Sequence, residues 1–376
     1  MHAIGPEKKY CIATGGTGGH LFPALALAEG MVERGHDVTI LQSWQKGQGR
    51  IETDQEFRVI SLPGSGENRA PWNRLKAFWQ SFQLANECFA ADQPVAVIGM
   101  GGLASLPPLL AAMRLGIPIF LHDSNAIPGK VNRWLSGRAA ATFIAFESAA
   151  RFVRGRSVLT GTPVRNSLQQ LDVQASRLAL GLKPERPVLL ITGGSQGASP
   201  LNQLFLSLVE GLVQKIPDLQ FLHLTGEKDF SAVQAFYQTK KLAAVVHPFL
   251  TEMEYGFSAA TVALSRAGGS TIAELRKFKL PALLVPYPAA ADNHQYFNAL
   301  ELATSGEAVM VQQHEPAAAF TEALLGLFND SHRQKAVQAM ERTPGDPIDL
   351  ILRGLFCGEK NSQTRLVQTP LIMHQC

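Results

Sequence analysis

The sequence predicts an α/β chain made of two Rossmann-like parallel-sheet units that face one central cleft. Three observations carry this. Short apolar runs alternate with helical stretches from one end to the other, the pattern of strand–helix–strand units. A glycine-rich turn recurs in both halves, each time between an apolar run and a helical pattern. The chain is 376 residues long, 46% hydrophobic and 17% charged, enough for two packed cores and unlike a disordered composition.

The elements follow in order. In the first half, apolar runs predict strands over 10–13, 38–41, 95–99, 117–122 and 142–145. In the second half they predict strands over 188–192, 219–224, 243–246, 262–265, 282–285 and 308–311. The first run, Tyr10-Cys11-Ile12-Ala13, enters the turn Thr14-Gly15-Gly16-Thr17-Gly18-Gly19-His20 and then the helical Leu21-Phe22-Pro23-Ala24-Leu25-Ala26-Leu27-Ala28. The corresponding downstream unit is Val188-Leu189-Leu190-Ile191, then Thr192-Gly193-Gly194-Ser195-Gln196-Gly197-Ala198. A buried strand, a glycine turn and a helix start suit a phosphate-bearing ligand. Unpaired backbone N–H groups point outward there, the helix dipole favours negative charge, and glycine permits close approach.

The irregular Gly161-Thr162-Pro163-Val164-Arg165-Asn166, a short helix and Lys183-Pro184-Glu185-Arg186-Pro187 mark the junction between units. The expected division is 1–164, 165–343, and a closing segment 344–376. Prolines at 344 and 347 interrupt the C-terminal helical region, 348–356 forms one more helix, and the polar tail beyond Gly358 is expected to be poorly ordered.

Several classes drop out. The net charge of +3 is too small to argue for nucleic acid. It is unevenly spread: residues 1–165 hold 17 Lys and Arg against 12 Asp and Glu, and the rest hold 17 against 19. A mildly basic first half favours an anionic substrate or membrane face. Cys11, Cys88, Cys357 and Cys376 have no metal-ligand spacing and fit a reduced cytoplasm. The N-terminus lacks a secretory apolar core, and no run reaches the ~18 apolar residues of a membrane span. The glycine turns match neither the dinucleotide fingerprint nor a P-loop, which argues against a dehydrogenase and a P-loop NTPase.

Further motifs join the two turns: Gly99-Met100-Gly101-Gly102-Leu103-Ala104-Ser105; Leu121-His122-Asp123-Ser124-Asn125-Ala126-Ile127-Pro128-Gly129; Gly161-Thr162-Pro163-Val164-Arg165. Downstream stand Ser265-Arg266-Ala267-Gly268-Gly269-Ser270-Thr271-Ile272-Ala273-Glu274 and Asp292-Asn293-His294-Gln295-Tyr296-Phe297-Asn298-Ala299. In this order, over residues 10 to 310, the set closely resembles the MurG family, the GT-B glycosyltransferases of family 28. The resemblance implies the GT-B architecture, with a last helix crossing back onto the N-terminal unit. It also implies inverting transfer of N-acetylglucosamine from UDP-N-acetylglucosamine to undecaprenyl-linked lipid I, forming lipid II for peptidoglycan, with links to cell shape and division. No cofactor or bound metal is implied, and the chain has no Asp-x-Asp motif. The implied partners are the UDP-sugar, lipid I and an anionic membrane surface, at the cytoplasmic face of the plasma membrane. Two rivals stay open: a GT-B enzyme with another acceptor, and a catalytically silent nucleotide-sugar binder.

By the same resemblance, Thr17, Gly18, Gly19, Asn125, Arg165, Ser195, Leu250, Gln295 and the segment Ala267, Gly268, Gly269, Ser270, Thr271, Ile272 with Glu274 serve the donor. Ser195 and Arg165 match pyrophosphate-contacting positions, and Glu274 matches a glutamate bonded to the ribose. Gly101 and Gly102 resemble the loop near the acceptor diphosphate. Each has a plainer reading as a cap, a surface charge or a tight turn. For the base that inversion needs, His20 is the leading candidate, because imidazole titrates near neutrality. Asp123 is its rival, although the usual family motif has glutamate there, and the shorter side chain reaches ~1.5 Å less far. His294 stands where the family has a second glutamine. Finally, Trp72, Leu75, Phe78, Trp79 and Phe82 recur at helical spacing beside Arg69, Arg74 and Lys76. Such a stripe reads either as core or as the membrane-facing surface the resemblance implies.

Overall fold

The computed structural model describes residues 7–15, 18–43, 57–63, 71–194, 197–342 and 345–356. The tail beyond Gly358 lies outside them. The first unit contains β1 (Lys9–Gly15), α1 (Gly18–Val32), β2 (Asp37–Ser43), β3 (Arg58–Leu62), α2 (Pro71–Ala91) and β4 (Ala96–Gly99). It continues through α3 (Leu106–Arg114), β5 (Ile119–Asp123), α4 (Lys130–Leu135), β6 (Ala141–Ile144) and β7 (Ser157–Leu159). These strands form one sheet in the order β3-β2-β1-β4-β5-β6-β7, parallel throughout.

After α5 (Val173–Ala179) comes the second unit: β8 (Val188–Thr192), α6 (Ser199–Lys215), β9 (Gln220–Leu224), α7 (Phe230–Thr239), β10 (Ala244–His247), α8 (Met253–Ala259) and β11 (Val262–Ser265). It ends with α9 (Gly269–Lys277), β12 (Ala282–Leu284), α10 (His294–Ser305), β13 (Val309–Met310), α11 (Ala317–Phe328) and α12 (Asp330–Met340). The second sheet is also parallel, in the order β10-β9-β8-β11-β12-β13.

Both sheets are covered on both faces, which is why their central strands read as continuous apolar runs. Along β1, Ile12 packs with Leu27, Met31 and Ile98, while Cys11 and Ala13 face Leu109 and Leu121 on the other side. Along β8 the same alternation sends Leu189 and Ile191 to one core and Val188 and Leu190 to the other. In each sheet the strand order reverses at one place, between β1 and β4 and between β8 and β11. Ligands of open α/β sheets bind outside the strand C-termini at such switch points. The turns after β1, β4, β8 and β11 are the glycine-rich segments.

Two edge strands escaped the sequence pattern. β3 is only partly covered until Leu62, and β7 is three half-buried residues long, so neither shows a continuous apolar run. The strand expected from 117 begins at Ile119 because Pro118 has no N–H for the ladder.

A closing helix, α13 (Pro347–Phe356), returns to the first unit. Ile348, Ile351, Leu352 and Leu355 are buried in the α1 side of its core, each worth about 1.5–3 kcal/mol of burial. Gly30 makes room: a Cβ there would lie 2.6 Å from Ile348 Cδ1. Arg34, in the turn after α1, holds Asp349 at 2.6 Å.

Candidate functional site

The strand C-termini of the two sheets enclose a cleft of about 1050 Å³, with walls from both units. On the first wall α1 starts at Gly18, and Pro23 lies inside it. Having no N–H, Pro23 cannot bond the carbonyl of Gly19 four residues back. That carbonyl accepts instead from Ser270 Oγ of the second unit, at 3.3 Å. His20 is half-buried on this wall. The turn after β4 meets its ring: Gly101 and Gly102 have φ of 93° and 74°, and a Cβ on Gly101 would lie 3.2 Å from His20 Cδ2. The expected acceptor-side loop and the expected base are thus one structural unit. Burial lowers the His20 pKa below the usual imidazole value; Asp123 pulls it upward, and His294 across the cleft pushes it down. Thr17 lies outside the described residues.

Asp123 is placed differently from a proton acceptor. It is buried and does not line the cleft. Its Oδ1 accepts from Asn125 N at 3.0 Å and Nδ2 at 3.3 Å; its Oδ2 accepts from Gly129 N and Asn132 Nδ2, both at 2.8 Å. With both oxygens engaged, the carboxylate shapes the 123–132 loop and acts on His20 through its field. The shorter aspartate suits that task, and the geometry fits a positioning residue rather than a base.

Asn125 lines the cleft, and its Oδ1 accepts from Asn298 Nδ2 at 3.1 Å. Asn298 is fully buried, donates to Ala267 O at 3.0 Å and accepts from Ala126 N at 2.7 Å. This amide ties the first unit's loop to α10 and to the turn before α9. The sequence placed Asn298 in a motif without giving it a task.

The second wall is built on the turn after β11. Gly268, Gly269, Ser270, Thr271 and Glu274 line the cleft; Ala267 and Ile272 do not, because their side chains belong to the core beneath. Gly269 lets the two units approach closely, since a Cβ there would lie 2.1 Å from Ser124 O. The Glu274 carboxyl is pushed up to about 7 by burial, against the opposing pull of the Arg165 guanidinium. Arg165 also lines the cleft, with its guanidinium 5.1 Å from the centre of the Phe22 ring. Its buried Nε has no hydrogen-bond partner among the described residues. A cation so poised suits an anionic ligand.

Gly193 and Gly194 line the cleft after β8, while Ser195 lies outside the described residues. Leu250 lines it beside Phe249, a half-exposed ring that the sequence did not single out. Gln295 accepts from Tyr287 N at 2.9 Å, and His294 Nδ1 donates to Ala291 O at 2.8 Å. The preceding Asp292 and Asn293 both adopt positive φ, 51° and 54°, and Asp292 is ion-paired to Arg133 of α4. Among the described residues no group of three or more His, Cys, Asp or Glu could hold a metal ion.

Away from the cleft, the aromatic stripe settles on α2. Trp72, Leu75 and Trp79 are 80%, 60% and 56% exposed, so the stripe is not core. Phe78 and Phe82 are half-buried at its border, and the core-facing side consists of Ala77, Ser81, Ala85 and Phe89. Arg74 and Lys76 are exposed beside it; Arg69 lies outside the described residues. No helix of the described residues is long and apolar enough to cross a membrane.

Comparison with known proteins bears on all of this. Residues 10–144 match the glycosyltransferase family 28 N-terminal domain, and residues 188–346 match the family 28 C-terminal domain. A Hahella chejuensis protein named UDP-N-acetylglucosamine–N-acetylmuramyl-(pentapeptide) pyrophosphoryl-undecaprenol N-acetylglucosamine transferase is 37% identical over 319 residues, 81% of this chain and 85% of its own. A protein of the same name from Protochlamydia amoebophila is 33% identical over 329 residues, 82% of this chain and 85% of its own. The crystal structure of Acinetobacter baumannii MurG superposes with a TM-score of 0.71 at 29% identity, covering 92% of this chain and 99% of that one. Medicago truncatula UGT71G1 complexed with UDP-glucose gives a TM-score of 0.69 at 13% identity, over 95% of this chain and 100% of that one, and shows the fold alone.

Proposed function

The chain belongs to glycosyltransferase family 28, and on that premise we propose how its cleft transfers N-acetylglucosamine from UDP-N-acetylglucosamine to N-acetylmuramyl-(pentapeptide) pyrophosphoryl-undecaprenol, converting lipid I to lipid II. The observation that carries the reading is the opposition of the two walls. An imidazole pressed against a glycine loop, a guanidinium stacked on Phe22 and the carboxyl of α9 line one cleft.

Inverting transfer needs that opposition. The acceptor hydroxyl attacks the anomeric carbon from one side while the bond to the UDP oxygen breaks on the other. His20 takes the hydroxyl proton; with its pKa lowered by burial, the ring is neutral near pH 7 and has the lone pair the step requires. The departing pyrophosphate gains negative charge, and Arg165 with the backbone N–H groups opening α9 supplies the opposing potential. A donor of this kind typically contributes about 2–4 kcal/mol to the barrier. Glu274, once ionised, accepts from the ribose hydroxyls, and Gln295 and Asn125 orient the sugar. In this scheme the protein supplies the leaving-group stabilisation itself, and no metal or cofactor is required.

The acceptor's lipid is a membrane component, so the enzyme must work at a surface. We assign that contact to Trp72, Leu75 and Trp79 on α2, with Arg74 and Lys76 attracted to anionic headgroups. The surface is then the cytoplasmic face of the plasma membrane, and the product feeds wall growth and hence cell shape and division.

The test is transfer of labelled N-acetylglucosamine from its UDP donor to a lipid I analogue, with EDTA present. Product is the expected result. Donor binding without transfer to a competent acceptor would leave only a nucleotide-sugar binder, and transfer abolished by EDTA would overturn the metal-free scheme.

A further inference from the structure

Helix α9 has two working faces. Ser270, Thr271 and Glu274 line the donor cleft, whereas Ile272, Ala273, Arg276 and Lys277 line a second cavity of about 580 Å³. At about 100° per residue, Ile272, Ala273 and Arg276 point away from the cleft-lining set, and Lys277 falls at the border between the two. The other walls of the second cavity come from Phe146 of the first unit, Val164 and Asn166 of the junction, and Pro347 at the start of α13. It therefore sits at the hinge, where all three parts of the chain meet. Its volume is within the ordinary range for a small-molecule site.

Its lining is apolar on one side and polar on the other, where Arg276, Lys277 and Lys279 outnumber the carboxylates Glu341 and Asp346. Phe146, Val164, Ile272 and Ala273 form the apolar side. Of the three nearby cations, Arg276 is neutralised by the buried Glu307 at 2.6 Å, and Lys279 by Glu341 at 2.6 Å. Lys277 has no carboxylate within ion-pair distance among the described residues; its Nζ donates to the Arg165 carbonyl at 2.9 Å. Burial draws its ammonium below the ordinary lysine value, against the weaker opposing pull of Asp346 and Glu29. A partly desolvated cation beside an apolar wall is what a small amphipathic anion recognises.

We propose that the hinge cavity is a second ligand site, for an amphipathic anion whose apolar part lies on Phe146, Val164, Ile272 and Ala273 and whose charge pairs with Lys277, and that this site is coupled to the donor cleft. The coupling rests on the donor reading given above, and its physical basis is shared walls. Gly269 lines both cavities, α9 separates them, and the lysine that would receive the anion is bonded to the backbone of Arg165. Moving either wall to fit one ligand alters the fit of the other.

The test uses 8-anilinonaphthalene-1-sulfonate, an aromatic anion of the required chemistry, titrated by fluorescence into the full-length folded protein. One site is expected, weakened about tenfold or more both by Ala273→Trp, which fills the cavity, and by Lys277→Gln, which removes the charge. Saturating UDP should change the dye affinity without abolishing binding, and the dye should change UDP affinity by the same factor. Displacement of the dye one-for-one by UDP would place it in the donor cleft and overturn the proposal. So would binding that ignores both substitutions, and an affinity that UDP leaves unmoved would overturn the coupling. If Ala273→Trp does not fold, Lys277→Gln, a change to one partly exposed side chain, still decides the site. If UDP itself does not bind, the donor reading fails, while the dye titration continues to judge the hinge site alone.

Discussion

In the first unit the helix after β1 carries an imidazole into the cleft; in the second, the helix after β11 carries a carboxyl there. Both lie on the helix that follows a buried parallel strand, His20 in the first turn of α1 and Glu274 further along α9, and both line the same cleft. Burial moves them in opposite directions on the pH scale, His20 downward and Glu274 up to about 7, because in each case it disfavours the charged form. The neighbours then differ. Asp123 pulls the imidazole pKa back up, whereas Arg165 pulls the carboxyl back toward ionisation. In the proposed scheme one local plan thus provides a proton acceptor on the first unit and a hydroxyl acceptor on the second.

The largest effect that tests this comparison is on the imidazole. His20→Asn should slow transfer by roughly 10²–10⁴-fold while donor binding is retained, measured by single-turnover transfer and by UDP titration. A rate near that of the parent would remove the first wall from the chemistry. At the leaving group, Arg165→Ala should cost about 2–4 kcal/mol in kcat/KM, and Arg165→Lys should recover only part of it. An unchanged rate would take Arg165 out of leaving-group stabilisation.

Glu274→Gln separates function from stability. Losing a charged acceptor should weaken UDP-N-acetylglucosamine binding by about 1.5–3 kcal/mol at pH 8, read by titration calorimetry. The fold should respond in the opposite sense. A carboxyl raised from 4.5 to about 7 stabilises the native state fully below pH 4.5, and that contribution is lost as pH rises towards 7. The glutamine variant should therefore unfold at a higher temperature than the parent at pH 8, by about 1–2 kcal/mol after discounting for partial exposure, and at the same temperature near pH 4. Equal midpoints at both pH values would mean that Glu274 is not held neutral by its surroundings.

The smallest effect lies outside the cleft. Replacing Trp72 and Trp79 with Ser should reduce partition onto anionic vesicles by about tenfold or more, since each ring offers apolar area worth over 1 kcal/mol. The thermal midpoint should stay put, because both side chains are exposed. Loss of folding instead would return the stripe to the core.

Much of this was legible in the sequence, for physical reasons. Central strands buried on both faces announce themselves as apolar runs, and the turns at the switch points need glycine, so β1, β8 and β11 with their turns stood out. Edge strands β3 and β7 lacked the double burial that writes such a signal. In the site, residue types indicated chemistry but not occupancy. Nothing in His122-Asp123-Ser124-Asn125 states that both aspartate oxygens are spent on the loop itself. Likewise Asn298, which joins three segments across the cleft, has no local pattern, because all its partners are distant in the chain. The α2 stripe had the spacing of a core helix, and only the packing of Ala77, Ala85 and Phe89 reveals which side faces inward.

The return of α13 to the first unit has a consequence for how the protein is made. The α1 side of that unit's core includes Ile348, Ile351, Leu352 and Leu355, which a ribosome delivers some three hundred residues after the surface they cover. Until then Leu27, Met31 and Phe143 lack part of their cover. The core on the α6 side of the second sheet, by contrast, is drawn from the contiguous stretch between Leu189 and Leu327. The unit that is synthesised first is therefore finished last, and truncation of the final helix should show itself as aggregation of the nascent N-terminal half.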